Sequence, residues 1–114
     1  MTSDEPQCGK DEHRGDPIRV DHTTCERAAE IFRALGDPQR LRLLILLEES
    51  ERCVSEICTV LDEPMPAVSQ RLRLLKSNRI VRSRRDGKHV FYALADKHIS
   101  RLVTNGVMHA IEET

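Results

Sequence analysis

The stretch "LGDPQRLRLLILLEES", residues 35–50, constrains the fold more than any other part of the chain. Gly36 suits the end of one helix. Asp37 supplies a side-chain acceptor for the first N–H groups of the next, and Pro38 sits where a helix loses no hydrogen bond to proline. The Leu and Ile residues that follow are apolar on almost every side. A helix of this kind avoids water only if other elements surround it. The sequence therefore predicts a helical domain built around a central second helix.

The flanking patterns supply those surroundings. Upstream, Ala28, Ile31, Phe32 and Leu35 recur at helical spacing and form the inward stripe of a first helix. Downstream, "CVSEICTVLDEP" reads as a short third helix starting near Ser55 and ending before Pro64. "MPAVSQRLRLLKSNRI" reads as a fourth, with Val68, Leu72 and Leu75 buried. Then the period changes. In "IVRSRRDGKHVFYAL", Asp86-Gly87 marks a tight β-hairpin, and Val90, Tyr92 and Leu94 alternate on the returning strand. A last helix runs from about Asp96 to the end. A short helix, a turn and a polar helix make a helix-turn-helix, and a basic hairpin after it makes a wing. The expected fold is mainly α with a β-hairpin: a winged helix-turn-helix, paired as a homodimer through its N- and C-terminal helices.

Length permits one small domain, residues 21–114, preceded by a polar arm at 1–20 that shows no apolar period and reads as mobile. Charged residues make up 32% of the chain and aromatics 3%, which favours a helical, well-solvated protein over one with a broad β-sandwich core. No apolar run is long enough to span a membrane, and the N-terminus lacks the apolar segment of a signal peptide, so a cytoplasmic location is expected. In that compartment Cys8, Cys25, Cys53 and Cys58 remain thiols.

The net charge of −1 conceals a sharp division. Residues 1–63 hold eight Lys and Arg against fifteen Asp and Glu, whereas residues 64–92 hold eight against one. The positive segment coincides with the fourth helix and the hairpin, which is the footprint of a polyanion site. Ser69, Gln70 and Arg73 have the chemistry to read base edges in a major groove. Arg71, Lys76 and the wing residues Arg82, Arg84, Arg85 and Lys88 suit phosphates or the adjacent minor groove. These positions predict double-stranded DNA as the partner. Neither a phosphate-binding glycine loop nor a nucleophile motif is present, so an enzyme acting on a small organic substrate is not expected.

The final helix carries Asp96, His98, His109 and Glu112, all metal-binding types. Eleven residues return a helix to within about 20° of its starting direction, so the histidines share a face, but they stand roughly 16 Å apart along the axis. Zinc ligands lie about 2 Å from their ion. One straight helix cannot bring both to a single ion, whereas two antiparallel copies related by a two-fold axis can. Each of two equivalent sites would take Asp96 and His98 from one chain and His109 and Glu112 from the other. Two nitrogen and two oxygen donors suit Zn²⁺, with Co²⁺ a close mimic.

In "LGDPQRLRLLILLEESERCVSEI", "AVSQRLRLLKSNRIV", "RRDGKHVFYAL" and "DKHISRLVTNGVMHAIEE" the chain resembles the ArsR/SmtB family of winged-helix metal-responsive repressors, over about residues 24–114. The last segment is similar to the branch that senses zinc, or cobalt with zinc, through its final helix. The resemblance implies a homodimer on a palindromic operator, with metal lowering DNA affinity and releasing genes for efflux or sequestration. It further implies that metal-bound His109 donates its free ring N–H to a carbonyl near the end of the reading helix, around Arg79. Some relatives place a second metal between the third helix and the arm through Cys-x-Cys. Here the second thiol is replaced by Ser55, which leaves Cys53 and Glu56 with Cys8 and His13 as a candidate mixed set. The rival readings are a thiol-based redox or persulfide sensor on the same scaffold, a cobalt or nickel sensor, and a winged-helix interaction module whose metal is structural.

Overall fold

The computed structural model describes residues 19–112. Five helices and three strands follow one another: α1 (His22–Leu35), α2 (Pro38–Glu49), β1 (Arg52–Cys53), α3 (Val54–Leu61), α4 (Met65–Ser77), β2 (Val81–Asp86), β3 (His89–Leu94) and α5 (Lys97–Ile111). The expected arm at residues 1–20 falls almost wholly outside the described residues, and Cys8 and His13 with it.

The starts of α1, α2 and α5 are set by the side chains of Asp21, Asp37 and Asp96, each of which accepts a first-turn backbone N–H. The N–H of Arg40 donates to Asp37 at 3.0 Å and starts α2 as the sequence predicts. Arg40 also donates from Nε to the carbonyl of Ala34 at 2.8 Å and from Nη2 to that of Arg33 at 3.2 Å. One side chain thereby satisfies open carbonyls at the end of α1 and ties it to α2. At the end of α4, Arg79 takes a left-handed backbone (φ 60°). Its N–H donates to Lys76 O at 3.0 Å, while the N–H of Ile80 reaches back to Leu75 O at 2.9 Å. This is the hydrogen-bond pattern that usually recruits glycine.

The core gathers around α2, whose Leu43, Leu44, Leu46 and Leu47 are buried. Against them pack Ile57 and Leu61 of α3, Val68, Leu72 and Leu75 of α4, Ile80 and Val81, and Ile99 and Val103 of α5. The α4 stripe is the predicted one. Each of its three side chains contributes about 1.5–3 kcal/mol by burial, which orients the opposite face of α4 outward.

Three local expectations are corrected. Phe32, placed in the inward stripe of the first helix, is 59% exposed, and Ala34 is buried instead. The hairpin turns one residue later than an Asp-Gly centre would give. Asp86 pairs with His89, so Gly87 and Lys88 form the loop. Only Gly87 of these has positive φ (64°), as a turn with glycine in first position requires. Finally, β1 was not anticipated. Arg52 and Cys53 pair with Tyr92 and Phe91 to make a three-stranded antiparallel sheet of order β1-β3-β2.

Candidate functional site

The helix-turn-helix consists of α3 and α4, joined through Asp62, whose left-handed backbone (φ 56°) ends α3. Burial of Val68, Leu72 and Leu75 leaves Gln70, Arg73 and Lys76 exposed and Ser69 half-buried. The wing, β2 and β3, presents Arg82, Arg85 and Lys88 to solvent. Among the described residues, none of these seven side chains has a protein hydrogen-bond partner.

Two of the predicted phosphate contacts differ. Arg71 Nη1 lies 3.1 Å from Glu63, and both side chains are half-buried in the α3–α4 turn. Arg84 donates through Nε at 2.8 Å and Nη2 at 2.7 Å to the two oxygens of Glu51. Sequence reasoning missed both carboxylates. Glu63 is eight residues from its partner and Glu51 thirty-three, and neither offset is a helical or strand neighbour spacing.

The second candidate surface lies on α5. Asp96 precedes the helix, and its Oδ1 accepts the N–H of Ile99 at 3.0 Å. The same oxygen stands 3.6 Å from His98 Nδ1. Chiefly the Ile99 N–H, and with it the neighbouring His98, holds the Asp96 carboxyl below its ordinary pKa. With Ile99 and Val103 turned into the core, His98, Leu102, Asn105, His109 and Glu112 run along the exposed side of the helix. Among the described residues no three His, Cys, Asp or Glu side chains meet closely enough within one chain to hold an ion. Thus the chain brings Asp96 and His98 together and leaves His109 and Glu112 at the far end of the same face.

Beside Asp96 and His98 a cleft of about 530 Å³ opens between α1, the end of α4 and the start of α5. Thr24, Arg27, Ser77, Asn78 and Arg79 line it. The end of α4 and the near half of the candidate metal site therefore share one wall.

Of the second candidate set, the two described residues, Cys53 and Glu56, already have partners. Glu56 accepts Arg52 Nη1 at 2.7 Å, and Arg52 Nη2 is bound by Glu49 at 2.8 Å. Cys53 Sγ lies 3.3 Å from Ser55 Oγ, the contact that does most to draw its thiol pKa below the ordinary value. The described cysteines Cys25, Cys53 and Cys58 are all free thiols. No described helix is long and apolar enough to cross a membrane.

Comparison with known proteins agrees with this architecture. Residues 37–83 match the family described as "Bacterial regulatory protein, arsR family". The chain is 42% identical over 88 residues to the HTH-type transcriptional repressor SmtB of Mycobacterium tuberculosis, an alignment covering 77% of this chain and 65% of that protein. It is 38% identical over 95 residues to the HTH-type transcriptional regulator KmtR of the same organism, covering 83% of this chain and 72% of KmtR. Its fold superposes on the homodimeric winged helix-turn-helix DNA-binding domain of a Mycobacterium bovis protein with a TM-score of 0.75 and 29% identity, covering 83% and 90% of the two chains. From the α2 start to the wing, and in the fold as a whole, this chain belongs to the arsR family of bacterial regulatory proteins.

Proposed function

We propose that the chain is a zinc-responsive transcriptional repressor that acts as a dimer. In this reading the metal-free dimer holds a palindromic operator, with α4 in the major groove and the wing on the adjacent backbone. Zinc shared between the chains lowers that affinity and frees genes for metal efflux or sequestration. Membership of a family of regulators, together with the positive charge on α4 and the wing, supports the DNA half.

The metal half rests on one observation, the uncovered face of α5. His98, His109 and Glu112 lie along it with Leu102, which is 37% exposed. Met108 and Ile111 on the same helix are 56% and 65% exposed, and Phe32 of α1 is another uncovered apolar side chain. Such surface favours a second copy of the chain. An antiparallel α5 pair would set Asp96 and His98 of one chain beside His109 and Glu112 of its partner. These donors fit Zn²⁺, and Co²⁺ as a substitute. When bound, the ion would link the two chains. Asp96 would contribute a carboxylate oriented by its cap bond, and His109 would offer its second ring N–H to a carbonyl at the end of α4, near Arg79. At that end the N–H groups of Arg79 and Ile80 bond back to the Lys76 and Leu75 carbonyls.

The test is fluorescence anisotropy of operator DNA with and without Zn²⁺, repeated with His98→Ala. The expected result is tight binding by the metal-free protein, a loss of roughly 5- to 150-fold on adding zinc, and no loss in the variant. Equal zinc sensitivity in the variant would exclude the α5 site.

A further inference from the structure

Glu51 lies in the turn between α2 and β1, and Arg84 lies in the wing. Both oxygens of Glu51 are bound by the Arg84 guanidinium, at 2.7 and 2.8 Å. The remaining nitrogen, Nη1, stands 3.9 Å from Asp86. The guanidinium carbon also sits 4.7 Å from the centroid of the Phe91 ring, on the residue paired with Arg84 across the sheet. One side chain thus touches the corner beside α2 and both strands of the wing. The pairing holds the Glu51 carboxyl below its ordinary pKa and pushes that of Arg84 up.

A forked Arg–carboxylate pair uses the same two donors that a phosphate would need. For Arg84 to fork onto a phosphate through Nε and Nη2 it would have to give up Glu51. Arg82 and Arg85, its neighbours in β2, carry no such commitment among the described residues. We propose that Arg84 is a positioning residue: it braces the wing against the α2–β1 corner, and Arg82, Arg85 and Lys88 deliver the wing's charge to DNA. The DNA part of this assignment rests on the repressor reading above, but the brace itself does not.

Two measurements separate the roles. The first is the salt dependence of DNA affinity. Each phosphate neutralised contributes about −0.9 to the slope of log K against log salt. Arg84→Gln, Arg84→Lys and Glu51→Gln should each weaken binding about 3- to 10-fold and leave the slope within about 0.3 of the parent. Arg82→Gln, the comparison, should flatten it by about 0.9. Lysine should fail to substitute because it cannot fork onto a carboxylate. The second measurement is amide hydrogen exchange of β2 and β3 in the DNA-free protein, which should quicken in all three brace variants. The assignment is overturned if Arg84→Gln flattens the slope by about 0.9, if Arg84→Lys binds like the parent, or if Glu51→Gln tightens binding. Unchanged wing exchange would also overturn it. Should the parent protein not bind DNA at all, the repressor reading fails, and the exchange experiment still decides the brace.

Discussion

Ser100 Oγ donates to Glu48 at 2.6 Å, joining α5 to the C-terminal end of α2. Ser100 is two residues beyond His98, so the helix bearing the candidate ligands is fastened to the central helix close to one of them. The contact is exposed, which limits its worth. Ser100→Ala should lower stability by about 1 kcal/mol, read as a shift in urea midpoint with unchanged slope. A change below about 0.3 kcal/mol would mean that the bond is not kept in solution.

The proposed sharing of each ion between two chains has a consequence that single variants cannot show. His98→Ala and His109→Ala proteins should each lose zinc affinity by about 100-fold or more in chelator competition, since each damages both sites of its dimer. A mixed dimer of the two keeps one site whole, with His98 from one chain and His109 from the other. Mixing and refolding the variants should therefore restore tight binding of one zinc per mixed dimer. Absence of any restoration in isolated mixed dimers would place the ligands within single chains.

His109 has two proposed tasks, holding the ion and passing its effect to α4. His109→Cys keeps a zinc donor but removes the ring N–H. Zinc binding should survive, while the ratio of DNA affinities with and without metal should fall to about one. Parallel zinc titrations and operator anisotropy provide the check; a preserved ratio would remove the N–H from the mechanism.

Arg79 occupies a left-handed backbone conformation that glycine adopts without penalty. Arg79→Gly should raise thermal stability by about 0.5–1 kcal/mol. Calorimetry of the metal-free protein would show it. A decrease would mean that the arginine side chain contributes more than its backbone costs.

Acid should weaken the fold through its capping carboxylates. The N–H of Arg40, and secondarily its charge, keeps the Asp37 carboxyl below its ordinary pKa, and the cap of α5 does the same for Asp96. A folded-state pKa below the unfolded one gives stability that is present above about pH 4 and lost as pH falls through the lowered value. Asp37→Asn retains a capping oxygen without a titrating proton. Its stability should fall less steeply than the parent's below about pH 4 in a pH series of urea unfolding. An identical profile would show that Asp37 takes no part in the acid response.

What the sequence made legible was local. The Asp37 cap, the Val68–Leu72–Leu75 stripe and the start of α5 at Asp96 depend on neighbours within one helical turn, and each was readable. What it concealed was decided by distant partners. The strand at Arg52–Cys53 exists because Tyr92 and Phe91 lie alongside it, some forty residues on. An apolar period reveals that Phe32 belongs to an apolar face, but not whether that face meets the core or another surface. The wing arginines look equivalent in "RSRRDGK", and only the folded corner distinguishes Arg84 through Glu51. The same limit applies to α5. Spacing placed His98 and His109 on one face, but a single chain cannot provide the surface opposite them.

The cap at Asp96 has one more consequence. Its Oδ1 is already engaged by Ile99, so folding restricts the carboxylate's rotation before any ion arrives. An ion that takes the other oxygen meets a ligand that has little orientational entropy left to lose. Removing that ion would leave the helix start intact. In the proposed site the cap bond would therefore raise affinity for the ion without making the fold depend on it.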